Sequence, residues 1–207
     1  VRFILASASP ARLSLLRAAG IEPIVRVSGV DEDAVSAAHP DAGPAELVTA
    51  LAMAKAEAVV STVGTEFPDA VVVGCDSMLE YGGQVVGKAG SVEIARKRWA
   101  AMAGDDGLLH TGHAVVRLGG GVVTHRSSGA RLTQVHFGVP DEDELAAYLA
   151  TEEPLSVAGS FTMDGYGGWF MEGVTGDPSC VIGISLPLTR QLLGEVGVRI
   201  IDLWRSE

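Results

Sequence analysis

The stretch AVVVGCDSMLE, residues 70–80, constrains the fold more than any other part of the chain. It opens as a continuous apolar run, Ala70 to Cys75, which reads as a buried β-strand. It closes on Asp76-Ser77, which puts a carboxylate where such a strand emerges at its carboxyl end. That is where α/β proteins keep their ligands. An aspartate that only caps or turns the chain would leave the same letters.

A second apolar run, Val1–Ala6, reads as another buried strand and hands over to a helix through Ser7-Ala8-Ser9-Pro10. Capping explains this handover: Ser9 suits the N-cap, and Pro10 suits the first helical position because it has no N–H to leave unpaired. Anion binding explains it as well. A helix N-terminus offers free N–H groups and partial positive charge, and Arg12 adds a charged fork.

Strands and helices alternate through the first half. A helix is expected over Pro10–Ala19, with Gly20 as its stop, then a short strand at Pro23–Val27. Residues 28–43 read as a polar loop around Asp31-Glu32-Asp33. Pro44 to about Ser61 is the strongest helix, alanine-rich, with Leu47, Leu51, Ala54 and Ala58 on one face. Gly82-Gly83 suits a hairpin turn, and Ser91 caps a helix running to about Met102. Leu108–Phe137 is β in pattern around Gly119-Gly120-Gly121. Pro140–Ala150 is a helix with an acidic first turn, residues 158–170 are glycine-rich and irregular, and an apolar strand or turn from Cys180 feeds a last helix. Together these predict one α/β domain over residues 1–207, with a mixed sheet flanked by helices and bent into two lobes around a central cleft.

Composition narrows the partners. Hydrophobic residues make up 47% of 207 residues, enough for a proper core. The formal net charge of −11 argues against a nucleic-acid backbone, though a few cations focused in one place can still hold a small anion. Cys75 and Cys180 fit neither a zinc pattern nor a disulfide framework and read as buried free thiols in a reducing compartment. No apolar run reaches the roughly 18 residues that span a bilayer, and no signal segment is evident. The expectation is a cytoplasmic protein without membrane contact.

Several residues could carry chemistry, each with a plain alternative. Asp76 is the first. Lys55 lies inside the alanine-rich helix, where a solvated lysine is the usual case. Lys88 follows Gly87 after a strand, a setting that suits a phosphate contact or an ordinary surface hairpin. Glu32 and its acidic neighbours could hold a divalent metal or simply form a solvated loop. As a set, hydroxyls and an arginine at a helix start, two isolated lysines and two carboxylates suit a polyphosphate with a metal ion. The Gly-x-x-x-x-Gly-Lys-[Ser/Thr] and Gly-x-Gly-x-x-Gly patterns are absent.

The segments LASASPARLSLLRAAGI, VDED, LAMAKAEAV, VVGCDSMLEYGGQVVGKAGS, AMAGDDGLLHTGHAVV, YLATEEPLSVAGSF and VIGISLPL, in this order, resemble the Maf family of nucleoside triphosphate pyrophosphatases over nearly the whole chain. The resemblance implies hydrolysis between the α and β phosphates, giving a monophosphate and pyrophosphate. Asp76 falls on the family's proton-accepting aspartate. Ser7, Ser9, Arg12, Glu32, Lys55 and Lys88 fall on its polar positions. Arg12, Lys55 and Lys88 would then neutralise triphosphate charge, and Glu32 with Asp76 would hold Mg²⁺, Mn²⁺ or Co²⁺. A homodimer and a house-cleaning role in the nucleotide pool are family-level expectations.

Three positions depart from the branch that hydrolyses dTTP and UTP. Ala11 stands where that branch has an arginine, Ser77 where it has threonine, and Asp164 where it has glutamine. AGSF with Asp164, and the later GDP at 176–178, look more like the branch that takes N7-methyl-GTP, whereas Ser77 does not. Asp105 and Gly107 also replace frequent arginine and histidine. The sequence sits between branches, and points to N7-methyl-GTP or another modified purine, or to a broad range that includes UTP or CTP. Two rivals remain: a nucleotide-binding regulator of septum formation with little turnover, and an enzyme for deaminated purines such as ITP. The latter would lack the Ser-x-Ser-Pro start.

Overall fold

The computed structural model describes Val1–Trp204. In chain order it contains β1 (Arg2–Leu5), α1 (Pro10–Ala18), β2 (Ile24–Val25), α2 (Glu32–Ala37), α3 (Pro44–Val63), β3 (Ala70–Tyr81), β4 (Gln84–Val86), α4 (Val92–Met102), β5 (Asp106–Gly119), β6 (Val122–Phe137), α5 (Glu142–Ala150), β7 (Met171–Thr175), α6 (Pro178–Ile182) and α7 (Leu186–Glu195). The strands form one mixed sheet in the order β2-β1-β3-β5-β6-β7, with β4 paired to β3. β1 runs parallel to β2 and β3, while the β3–β4 and β6–β7 pairs are antiparallel. This is the α/β class the alternating pattern predicts. Among the described residues no helix is long and apolar enough to cross a membrane.

The chain forms two compact units. The first comprises Val1–Asp76, Thr111–Arg131 and the described residues that follow Ile182; the second comprises Ser77–His110 and Leu132–Ile182.

In the first unit β1 and the first half of β3 are covered on both faces, which is why residues 3–6 and 70–75 are unbroken apolar runs. Successive side chains alternate. Phe3, Leu5, Val71, Val73 and Cys75 therefore join Leu16 of α1 and Leu188 and Leu192 of α7 in one cluster. Ile4, Ala6, Ala70 and Val72 meet Ala52, Ala56 and Val59 of α3 on the other. The helix lies almost on the strand backbone. A Cβ on Gly74 would stand 2.1 Å from Ala52 O, and one on Gly112 would stand 2.2 Å from Val48 O.

The second unit packs around Trp99 of α4, which is fully buried. Its ring meets Phe137, Tyr148 and Phe170 edge-on, at centroid distances of 5.8, 5.9 and 6.1 Å. The expected hairpin is formed by Gly82 and Gly83, with φ of +56° and +75°, the left-handed pair a two-residue turn requires.

Four expectations are corrected. Residues 28–43 contain α2, capped by Asp31, whose side chain accepts from Ala34 N at 3.0 Å. It buries no residue, so no apolar spacing marks it in the sequence. The packed face of α3 is Val48, Leu51, Ala52, Lys55, Ala56, Val59 and Val63, so Leu47, Ala54 and Ala58 lie beside it. An alanine-rich helix offers little contrast between faces. β3 does not end at Asp76 but continues to Tyr81. The apolar segment at Cys180 is the short helix α6, not a strand or turn.

The approach at Gly74 yields a prediction. Gly74→Ala is expected to cost about 3 kcal/mol, because the new methyl meets a carbonyl rather than a movable side chain. Urea unfolding of the variant against the wild type measures this.

Candidate functional site

The handover from β1 to α1 is built on hydroxyls. Ser9 Oγ accepts from Arg12 N at 3.3 Å and caps α1, with Pro10 in the first turn. Ser7 is buried, and its Oγ accepts from Ser9 N at 3.2 Å and from Arg12 Nη1 at 3.1 Å. Arg12 reaches further: Nη1 donates to Cys75 O at 2.9 Å and Nε to Gly183 O at 2.7 Å. The guanidinium thus ties the start of α1 to β3 beside Asp76 and to the turn before α7. Gly183 has φ +113°, and a Cβ there would stand 2.9 Å from Arg12 Nε. Arg12 Nη2 carries no hydrogen bond among the described residues, so part of the fork stays open to an anion.

Lys55 and Asp76 form the centre. Lys55 is 8% exposed and Asp76 7%. Lys55 Nζ lies 2.5 Å from Asp76 Oδ1 and 2.7 Å from Glu32 Oε1. A lysine on the packed face of α3 thus overturns the solvated reading that its alanine neighbours suggest. Gly74 and Asp76 are two residues apart in β3 and so face the same side, toward α3. The close approach at Gly74 lets Lys55, one turn beyond Leu51, reach the carboxylate. Asp31 caps α2, whose first residue, Glu32, brings the second carboxylate.

Burial pushes the Asp76 carboxyl above its ordinary value. The Lys55 charge and hydrogen bond and the Arg12 charge pull the other way, and Glu32 adds to the rise. The neighbouring Cys75 thiol is fully buried and is pushed up to about 11, mainly by that burial. Cys75 and Cys180 are both buried free thiols, as expected.

Of the other expected residues, Ala11 lies half-buried in α1. Ser77, Lys88 and Asp164 belong to the second unit. Ser77 is half-buried in β3. Lys88 pairs through its backbone with Ala158, and its exposed side chain carries no ion pair among the described residues. Asp164 is exposed in the glycine-rich segment.

Arg98 was missed. Three successive basic residues on α4 suggest a solvated face, yet Arg98 turns inward. Its Nη1 donates to Gly87 O at 2.6 Å and to Ser160 Oγ at 3.3 Å, and Nη2 to Lys88 O at 3.5 Å. Ser160 is buried with φ +63°, a left-handed geometry that costs about 1 kcal/mol or more for a non-glycine residue. Trp99 Nε1 holds it by donating to Ser160 O at 2.7 Å. No apolar spacing or motif marks Arg98 as different from its neighbours.

Among the described residues no group of three or more His, Cys, Asp or Glu side chains is placed to hold a metal. Two carboxylates, Glu32 and Asp76, converge on one ammonium. Both are hard oxygen donors, and Mg²⁺ commonly takes one or two carboxylates and fills its shell with water and substrate phosphate oxygens. The pair fits that demand.

The family model described as Maf-like protein matches residues 2–196. The chain is 64% identical over 205 residues to a nucleoside triphosphate pyrophosphatase of Saccharopolyspora erythraea, covering 99% of this chain and 97% of that protein. It is 57% identical over 208 residues to one of Rhodococcus erythropolis, covering 100% and 98%. It is 58% identical over 203 residues to one of Nocardia farcinica, covering 98% and 96%.

Lys55→Ala is expected to lower the unfolding free energy by about 3 kcal/mol near pH 7, because it strands a buried carboxylate. Asp76 already has a raised native pKa, so its contribution favours the fold below its unfolded pKa and is lost as pH rises through the native value. The deficit of the variant should therefore shrink as pH falls toward about 4. Urea unfolding of both proteins across that range checks the sign.

Proposed function

The chain belongs to the Maf family, and from that premise we propose that it hydrolyses a nucleoside triphosphate between the α and β phosphates. Water and the triphosphate give a nucleoside monophosphate and pyrophosphate. The observation that carries this reading is the buried Lys55–Asp76 pair with Glu32 and Arg12 on either side of it.

Asp76 accepts a proton from a water molecule as its oxygen attacks the α phosphorus, and the bond from that phosphorus to the bridging oxygen breaks as pyrophosphate leaves. Its raised pKa makes it a better proton acceptor than a solvent-exposed carboxylate, while Lys55 keeps it ionised. Lys55 and the open edge of Arg12 offset charge on the triphosphate. Ser7 and Ser9 fix Arg12 and the first turn of α1, where among the described residues only the Ala11 N–H is left to meet a phosphate. Lys88, whose exposed side chain carries no ion pair among the described residues, supplies a further cation.

Glu32 and Asp76 would hold a divalent cation, Mg²⁺ or Mn²⁺ with Co²⁺ as an alternative. Such an ion, when bound, neutralises charge on the phosphoryl oxygens. Substrate choice falls to Asp164, Ser77 and Ala11. A carboxylate at 164 accepts from the N1–H and 2-amino group of guanine, which favours N7-methyl-GTP or a related modified purine over strict dTTP. UTP and CTP are the next candidates. The setting is nucleotide-pool maintenance in the cytoplasm by a homodimer. The formal charge of −11 supports a small-molecule partner rather than a nucleic acid.

The test is pyrophosphate release from GTP, N7-methyl-GTP, UTP, CTP, dTTP and ITP with Mg²⁺, Mn²⁺ or Co²⁺. Wild type is expected to release pyrophosphate. Asp76→Asn is expected to lose about a thousandfold in kcat while still binding the triphosphate. Full activity in Asp76→Asn would remove Asp76 as the base. Triphosphate binding without pyrophosphate release under any metal would leave the regulator reading.

A further inference from the structure

Glu153 plays no part in the chemistry above, yet it organises the glycine-rich segment. It opens a one-turn 3-10 helix, Glu153–Leu155, directly after Glu152, whose backbone is left-handed at φ +61°. From there its carboxylate spans the loop that follows. Oε1 accepts from Thr162 Oγ1 and, at 3.1 Å, from Gly167 N. Oε2 accepts from Tyr166 N at 3.1 Å. Thr162 Oγ1 also accepts from Gly167 N at 3.2 Å. These donors bracket Asp164: one lies two residues before it, and two lie just after it.

Burial pushes the Glu153 carboxyl up. The Thr162 hydroxyl and the amides of Tyr166 and Gly167 outweigh that and hold it below its ordinary value, so it is an anion with three donors. The loop is shaped to that anion. A Cβ on Gly165 would stand 2.3 Å from Glu153 Oε2, and one on Gly167 would stand 2.5 Å from the Tyr148 hydroxyl. Glycine at 165 and 167 leaves room for the carboxylate and the phenol. The far end of the loop is pinned where Phe170 meets Trp99. Asp164 has no hydrogen bond or ion pair of its own among the described residues, so its place comes from the loop backbone alone.

We propose that Glu153 is a positioning residue for base selection: by fixing Thr162 to Gly167 it holds the backbone from which Asp164 reaches the base. This rests on the reading that Asp164 meets the base. A swinging carboxylate accepts from any amino group within reach. One carried on a held backbone reaches fewer positions and favours the edge whose donors lie there, and such discrimination needs support from the surrounding groups.

The experiment compares kcat/KM for the preferred nucleotide with that for each of the others, in wild type, Glu153→Ala, Glu153→Gln, Asp164→Ala and the Glu153→Ala/Asp164→Ala double variant. Thermal unfolding runs alongside. Glu153→Ala is expected to shrink the preference by about tenfold, mainly through KM. The double variant is expected to match Asp164→Ala, because a positioning residue has nothing left to position. If Glu153→Ala does not fold, Glu153→Gln decides. Its single remaining acceptor oxygen cannot serve all three donors, so a partial loss of preference is expected. A uniform fall for every nucleotide, or an unchanged preference in folded variants, would overturn the proposal. Failure of the functional reading itself is distinguishable, because wild type would then release pyrophosphate from no nucleotide.

Discussion

The contact on which the first unit depends is the approach of α3 to β3 at Gly74. A helix normally stands off a sheet by the depth of two side-chain layers. Here glycine at 74 and 112 removes one layer, and Ala52 and Ala56 thin the other. The helix backbone settles onto the strand, and Lys55 arrives within 2.5 Å of a carboxylate carried by that same strand. Small residues on both partners thus do for the site what a long loop does in many enzymes. They bring a charged pair together on rigid elements, where its geometry is held by packing.

That arrangement has an electrostatic consequence. Two ions out of water are expensive, and their mutual attraction offsets the cost only in good geometry. Burial prevails at Asp76, whose carboxyl rises above its ordinary value in spite of Lys55 and Arg12. Such a group stabilises the fold poorly and is well suited to taking a proton. Arg12 carries a second compromise. It spends Nε and Nη1 on Gly183 O, Cys75 O and Ser7 Oγ, and in doing so joins α1, β3 and the turn before α7 beside the carboxylate. The Ser-Ala-Ser-Pro handover therefore serves capping and arginine placement together.

Much of this was legible in the residues. Unbroken apolar runs at 3–6 and 70–75 required covered strands, and Ser9, Ser91 and Gly82-Gly83 marked their cap and turn positions by known local chemistry. The misses have physical causes. α2 buries nothing, so hydrophobic spacing had no purchase on it. The faces of α3 differ too little in polarity for the packed one to be chosen, and a lysine on it points the wrong way. Lys55 gains its burial from Gly74, a residue 19 positions later, and local pattern cannot reveal that. Arg98 and Glu153 bind backbone carbonyls and amides in folded loops, and such partners leave no trace in residue type. The resemblance supplied Lys55, Lys88 and Glu32 where periodicity alone left them undecided.

The most direct measurement is a crystal structure of the wild-type protein with Mg²⁺ and a nucleoside triphosphate analogue carrying a methylene bridge between the α and β phosphorus atoms. The expected result is the Asp76 carboxylate hydrogen-bonded to a water that faces the α phosphorus, with Lys55 within ion-pair reach of a phosphate oxygen. A triphosphate seated away from Asp76, with the Lys55–Asp76–Glu32 contacts unchanged, would contradict the role assigned to that pair.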